Sequence, residues 1–403
     1  MDALKYTIPD FIRDEKSVFT IPPFQRNYSW GEEQCRELFL DLVDCYREGK
    51  KHYLGNIIYY ASKAISGYTE FVLVDGQQRI TTVLILLCAL RDEIDDENKK
   101  SEIDKYLINE KRTDYRIRLK QTAYDSKSFE LMISGGNLEQ VDNNIAINYK
   151  LFNELIEESK IEPNDLYETM KNLEIVGVNL GERDSQEQVQ KIFEKINSTG
   201  KPLTPADLIR NLLLLTHEVE RQERLYLNYW KPMEDSLKNE NISDFARDIL
   251  IITTLKDVRE KEIYREFKGL YRKDSEKEAI LKEMLDYSKY YRWILFENSC
   301  PDEQIKRSIK FLNAISTEDV YPLYLYLLHE MHGKQTEELR RVFQLLLDFL
   351  LRFRIVMPSR GGGALSSVAI ELIKKLRNGA VNLTYEDIRY ELSNSASETG
   401  RYP

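Results

Sequence analysis

Residues 71–92 read FVLVDGQQRITTVLILLCALRD, and the five residues Asp75-Gly76-Gln77-Gln78-Arg79 within them decide the fold. Phe71-Val72-Leu73-Val74 is β-branched and aromatic, which predicts a buried strand. Ile80-Thr81-Thr82-Val83-Leu84-Ile85-Leu86-Leu87 then opens a helical pattern that runs to about Asp92. A carboxylate, a glycine, two amides and a guanidinium therefore stand at a strand-to-helix turn. The first N–H groups of a helix lack carbonyl partners, and its dipole is positive at that end. A phosphate is the expected guest at such a turn.

The chain around this turn has 403 residues, enough for two or three domains and a substantial core. With 42% hydrophobic and 31% charged residues it reads as globular. The 58 basic against 68 acidic residues leave a net charge of −10. This argues against broad, nonspecific nucleic-acid binding and leaves room for a local basic groove. Cys35, Cys45, Cys88 and Cys300 lie far apart without a C-x-x-C pair. The first three fall in helical patterns, where they are expected to pack as small apolar groups rather than as a disulfide framework. The N-terminus, Met1-Asp2-Ala3-Leu4-Lys5, lacks a signal pattern, and the longest apolar stretch, Val83 to Leu90, is too short for a membrane helix. A cytoplasmic protein without a membrane partner is expected.

Two regimes of patterning divide the chain near Gly200. Residues 1–200 read as mixed α/β, with strands expected at Ser17–Thr20, Tyr53–Ala61, Glu70–Val74, Tyr115–Leu119 and Leu173–Leu180. Helices are expected at Glu32–Glu48 and Gln188–Ile196. From 201 to 403 nearly everything reads as helix: 205–217, 219–238, 243–256, 260–270, 275–296, 302–314, 319–331, 336–355 and 365–377. The fold class is therefore α+β, an α/β domain followed by an all-helical one.

Three further blocks carry polar groups with no obvious structural duty. Ile21-Pro22-Pro23-Phe24-Gln25-Arg26-Asn27-Tyr28-Ser29-Trp30 approaches a helix start in extended form. Gln25, Arg26 and Asn27 are donors suited to a phosphate or a base edge, although the loop also reads as an aromatic helix cap. In Tyr53-Leu54-Gly55-Asn56-Ile57-Ile58 the glycine marks either a bulge or a close approach of backbone or ligand. In the stretch from Phe193 to Asn211, Thr204, Pro205 and Asp207 make a helix start, but Asn197, Arg210 and Asn211 remain polar in apolar surroundings. At the opening turn, Arg79 can direct a forked donor at a phosphate held by the N–H groups of Gly76 to Gln78. Asp75 suits a metal ligand, a water-orienting base, a partner for an arginine or a helix cap.

Several chemistries find no support. The chain has neither G-x-x-x-x-G-K-[ST] nor G-x-G-x-x-G. Its four histidines show no metalloprotease spacing and no His/Asn/His nuclease arrangement; His329 and His332 read as surface or packing residues. No serine or cysteine triad is visible, and the 25 tyrosines are scattered.

IPPFQRNYSW, YLGNIIYY, VLVDGQQRITTVLILLCAL and IFEKINSTGKPLTPADLIRNLLL follow one another over about residues 15–215. In that order they resemble the N-terminal domain of GmrSD-type, modification-dependent restriction endonucleases. The resemblance implies a fold related to ParB and sulfiredoxin, with a nucleotide bound and hydrolysed at the DGQQR turn. Carried over by position, Asp75, Gln77, Gln78 and Arg79 are the catalytic candidates, with Asp75 also the candidate ligand for Mg2+. Gln25, Arg26, Gly76, Asn197, Asp207 and Arg210 are the nucleotide-binding candidates, expected to converge on one pocket. The base of the triphosphate is open among GTP, UTP and CTP. Relatives often continue into a His-containing nuclease domain. This chain has no such motif, so a nuclease domain or subunit is expected elsewhere, and cleavage is not expected from this chain alone.

Three functions follow from these readings. The first is a nucleoside-triphosphate-hydrolysing regulatory part of a restriction or anti-phage defence system. The second is a non-hydrolysing reader of modified DNA that recruits or gates a nuclease. For it, Arg340, Arg341, Arg352, Arg354 and Arg360 are candidate phosphate contacts, or simply a solvated helix face. The third is a scaffold in which the motif is only structural. A homo-oligomer is compatible with all three.

Overall fold

The computed structural model describes residues 2–12, 17–65, 68–109, 117–181, 191, 203–215, 219–271, 273–315, 318–356 and 363–398. Contacts divide the chain into two compact units, one of Met1–Pro202 with Leu214–Glu223, the other of Leu203–Leu213 with Arg224–Pro403. The first holds a mixed sheet and the second is helical among its described residues, so the fold class is α+β.

The sheet of the first unit has six strands: β1 (Asp2–Thr7), β2 (Ser17–Thr20), β3 (His52–Ile65), β4 (Tyr68–Asp75), β5 (Leu119–Lys120) and β6 (Leu173–Leu180). Their spatial order is β1-β6-β3-β4-β2-β5. β3 and β4 form an antiparallel pair, while β6 runs parallel to β3 and β2 parallel to β4. Among the described residues the helices that accompany it are α1 (Ile8–Ile12), α2 (Glu32–Glu48), α3 (Gln77–Glu93), α4 (Glu97–Leu107), α5 (Ser126–Ile133), α6 (Asn144–Ser159) and α7 (Pro163–Thr169). α3 is the central one. Every residue from Ile80 to Arg91 is buried, which explains why its sequence is apolar all round rather than striped. Phe11, Phe19, Tyr59 and Phe71 pack ring against ring on one sheet face, with centroids 4.9 to 5.9 Å apart.

Some elements differ from the sequence reading. β1 escapes it because Asp2 to Lys5 are exposed, so this edge strand shows no apolar alternation. Of the strand expected at Tyr115–Leu119, residues 115 and 116 lie outside the described residues, Ile117 makes an isolated bridge with Ile108, and Leu119 belongs to β5. The helix expected at Gln188–Ile196 lies outside the described residues, apart from Lys191. All four cysteines are buried free thiols.

The second unit contains α8 (Pro205–Leu214), which ends in the first unit, and α9 (Val219–Leu225), which begins there. It continues with α10 (Lys231–Leu237), α11 (Ile242–Thr254), α12 (Ile263–Leu270), α13 (Lys277–Leu295), α14 (Glu303–Ala314), α15 (Tyr321–Met331), α16 (Thr336–Val356), α17 (Gly363–Arg377) and α18 (Tyr385–Glu398). The helix read as continuous from 219 to 238 contains a π-turn at Tyr226–Trp230. Among the described residues no helix is long and apolar enough to cross a membrane.

Asp248, on α11, is completely buried. Arg247 Nε approaches Oδ1 at 3.5 Å, and Oδ2 has no hydrogen-bond partner among the described residues. Burial pushes the Asp248 pKa from 3.8 up to about 7. Below the lower value both folded and unfolded chains hold the proton. As the pH rises the unfolded chain loses it first, so stability falls until the folded carboxyl also ionises near pH 7. The span corresponds to about 4 kcal/mol. Thermal unfolding of Asp248→Asn from pH 4 to 8 should show a flatter profile than the parent; parallel profiles would remove Asp248 as the cause.

Candidate functional site

Two bulges shape the turn. In the β3–β6 ladder Tyr53 pairs with Glu174 and Gly55 with Ile175, leaving Leu54 as the extra residue. In the β3–β4 ladder Ile58 pairs with Asp75 and Tyr59 with Leu73, leaving Val74 extra. Such irregularities re-aim the side chains that follow them. The Val74 carbonyl accepts a hydrogen bond from Gln25 Nε2 at 2.8 Å. Gln25 is buried. It thereby fixes the IPPFQR loop to the end of β4.

Gly76 adopts φ 88° and makes the corner between β4 and α3. A Cβ there would lie 2.9 Å from the Asn56 carbonyl oxygen and 3.0 Å from Ile57 Cγ1. Conformation and space both demand glycine. Gly55, at φ 114°, leaves room for a side chain instead: its Cβ would meet the Arg79 guanidinium at 3.0 to 3.3 Å. Arg79 Nη1 donates to the Asn56 carbonyl at 2.7 Å, and Asn56 Oδ1 accepts from the Tyr53 hydroxyl at 2.5 Å. Gly55 stands next to a bulge, and what approaches it is the Arg79 side chain, where the sequence reading expected backbone or ligand.

Charge at the turn is concentrated and partly removed from water. Burial raises the Asp75 pKa; the Arg79 charge, a hydrogen bond from the Gly76 N–H and the Arg26 charge oppose the rise. Burial likewise lowers the Arg79 pKa, opposed by Asp75 and Tyr53. The Gly76 N–H is therefore engaged by Asp75, and the amides of Gln77 to Arg79 are those that α3 itself leaves without carbonyl partners.

The two glutamines differ. Gln78 Oε1 accepts from the backbone N–H groups of Ser29 (2.7 Å) and Trp30 (3.2 Å), while its Nε2 donates to the Asn27 carbonyl (3.2 Å). Gln77 Nε2 donates to the Arg26 carbonyl at 3.4 Å, and its Oε1, buried, has no partner among the described residues. Below them, the Tyr28 hydroxyl bonds Thr82 Oγ1 at 2.7 Å and accepts from Asn148 Nδ2 at 3.1 Å. Asp125 Oδ2 accepts from the Tyr28 N–H at 2.7 Å. Thr122 Oγ1 donates to Asn27 Oδ1 at 2.9 Å. Thr82, Thr122, Asp125 and Asn148 are supports that the sequence reading missed. Their only signal is being polar within otherwise apolar or turn stretches.

The structure brings Gln25, Arg26, Asp75, Gly76, Gln77, Gln78 and Arg79 together. Asn197 lies outside the described residues. Asp207 and Arg210 are occupied within the second unit. Arg210, 4% exposed, donates from Nη2 to Asp207 Oδ1 (2.7 Å) and from Nη1 to Glu234 Oε1 (2.6 Å). Trp230 Nε1 and the Tyr226 hydroxyl complete Glu234, and Thr204 with Asp207 forms the reciprocal cap of α8. A fold-holding network accounts for both residues.

Among the proposed DNA contacts, Arg340 is paired with Asp302 and Glu337, and Arg341 with Glu338 and Glu386 over the Tyr385 ring. Arg352 is exposed on α16. Arg360 and the side chain of Arg354 lie outside the described residues. His329 stacks on Tyr287 and bonds Asp286 and Glu330, as suits a packing residue.

Among the described residues no group of three or more His, Cys, Asp or Glu could hold a metal ion. Asp75 is a single carboxylate influenced by two guanidinium groups, a donor set that fits an anion better than a free cation. A magnesium ion fits here only in the company of phosphates.

A glycine-cornered turn thus leads from a mixed sheet into a buried helix, with the charges of Arg26 and Arg79 acting on the one carboxylate of Asp75. The chain belongs to the GmrSD restriction endonuclease, N-terminal domain family, whose sequence pattern matches residues 8–214. That membership places it in a modification-dependent restriction system. No curated protein matches the chain.

Gly76→Ala should lower stability by about 1–3 kcal/mol through forced φ and the contact with Asn56; an unchanged melting temperature would contradict this corner. Arg210→Ala should cost about 3–5 kcal/mol by stranding two carboxylates. A folded, equally stable Arg210→Ala protein would return Arg210 to the list of ligand contacts.

Proposed function

We propose that the chain binds and hydrolyses a nucleoside triphosphate at the Asp75–Arg79 turn. The observation that carries this reading is the Arg79 guanidinium, seated over Gly55 beside the first turn of α3 and next to Asp75. The amides of residues 77–79, Arg79 and Arg26 hold the phosphates. Asp75 is the residue that would face a Mg2+ ion bound with the phosphates, and such an ion would supply charge neutralisation. Asp75 orients the attacking water and takes up its proton, a task that its raised proton affinity favours. The water oxygen bonds to the γ-phosphorus, the bond to the bridging oxygen breaks, and nucleoside diphosphate and phosphate leave. GTP, UTP and CTP are the substrates to compare.

The nucleotide state then gates cleavage of modified DNA by a nuclease domain or subunit. Support for this step is the family's place in restriction. The non-hydrolysing reader is the weaker reading, because Arg340 and Arg341 already have carboxylate partners. Of Arg352, Arg354 and Arg360, on which it also rests, Arg352 is exposed, and the side chain of Arg354 and all of Arg360 lie outside the described residues.

Phosphate release from GTP, UTP, CTP and ATP tests the proposal. Asp75→Ala and Arg79→Ala should each reduce kcat by roughly 100-fold or more. Equal turnover in the parent and both variants sinks it. Salt-dependent binding of modified over unmodified duplex, without phosphate release, would favour the reader.

A further inference from the structure

We infer that the outer face of α14 is a DNA-binding surface, with Arg307 and Lys310 on the phosphates of one strand and Phe311 against an unstacked base. The inference rests on the family's place in DNA restriction and not on the triphosphatase reading.

α14 reads EQIKRSIKFLNA and has two faces. Ile305, Ser308, Ile309 and Leu312 are buried, and the helix packs on α13 and α16. Gln304, Arg307, Lys310, Phe311 and Ala314 are exposed on the other side. Residues three and four apart share a helix face, so Arg307, Lys310 and Phe311 stand together. Phe311 is 58% exposed, and among the described residues it is the one phenylalanine exposed to this degree.

The charge on this face is unopposed. Glu303 is the only acidic residue of α14, and Lys306 is bonded to it at 3.2 Å. Arg307 and Lys310 have no carboxylate partner among the described residues. Arg340 and Arg341 differ from them, because carboxylates already hold both. The chain as a whole carries −10, so a polyanion can settle only where cations stand unanswered.

Two such cations beside a bare ring match a nucleic-acid strand in charge and in chemistry. Guanidinium and ammonium groups take phosphates, and an aromatic face takes a base of any sequence. A protein partner would call for a wider apolar patch, and Phe311 is the only large apolar side chain exposed on α14. In a paired duplex each base is covered on both faces by its neighbours. Phe311 therefore meets only a base that has left the stack.

Fluorescence anisotropy of the full chain without nucleotide tests this. The probes are a labelled single strand, its fully paired duplex and a duplex with one bulged base, compared between about 50 and 200 mM salt. The parent should prefer the single strand and the bulged duplex. Arg307→Gln and Lys310→Gln should each weaken all three complexes and reduce the slope of log affinity against log salt by about 0.7 on the single strand. Phe311→Ser should weaken the single strand and the bulged duplex by about tenfold, spare the paired duplex and leave the salt slope unchanged. These side chains are exposed, so the melting temperatures should match that of the parent. Lys282→Gln, which removes an exposed cation of α13, should bind as the parent does. An equal loss in Lys282→Gln would reduce the effect to net charge and overturn the site. Failure of the parent to bind any probe at low salt also overturns it, as does parent-like binding by the three α14 variants. Phosphate release is measured apart from all of these outcomes, so the triphosphatase reading stands or falls separately.

Discussion

Gly76 leaves no room for a side chain. Its left-handed backbone turns β4 into α3 within one residue, and the carbonyl of Asn56 and the side chain of Ile57 fill the space where a Cβ would stand. The approach is possible because β3 is irregular there, with Gly55 next to a bulge. The same irregularity lets the Arg79 guanidinium lie across the strand rather than project into solvent. One corner thus sets where α3 begins, where Arg79 rests and how Asp75 is presented. Burial then acts on the charges that the corner has brought together, raising the Asp75 pKa and lowering that of Arg79.

The loop at residues 21–30 depends on the corner in turn. It has little regular structure of its own and is held by side chains. Gln25 takes the carbonyl that the β4 bulge exposes, and Gln78 takes the backbone of Asn27 to Trp30. Tyr28 reaches down to Thr82 and Asn148, and Asp125 caps its N–H. A buried polar network of this kind orders a loop only when most of its members are satisfied. Much of what the sequence offers as ligand-binding amides therefore holds the wall of the site, and fewer groups are left for the ligand.

How much of this was legible in the sequence differs from residue to residue. Leu173–Leu180 and Glu32–Glu48 are found as read, because apolar spacing over eight or more residues overrides local ambiguity. Gly55 and Gly76 announced a close approach and a turn, since a glycine within an apolar stretch has few other reasons to be there. The π-turn at Tyr226–Trp230 was not legible. It shifts the hydrogen-bond register without altering composition, and helical periodicity reads straight through it. The destination of polar groups was equally hidden. Arg210 and Gln78 look like ligand donors in one dimension, and only their carboxylate and backbone partners reveal structural duty.

Burial and partnership together separate groups that hold the fold from groups held ready for a ligand. Arg210 is nearly inaccessible, but two carboxylates meet its guanidinium, and those carboxylates are themselves bonded by Thr204, Tyr226 and Trp230. Such a cluster is complete, and a ligand could enter only by breaking it. The turn at Asp75 is incomplete by the same measure. The Arg79 guanidinium lies beside the Asp75 carboxylate at a helix N-terminus, and one buried glutamine oxygen lacks a donor among the described residues. That asymmetry, rather than the motif's letters, separates the two clusters.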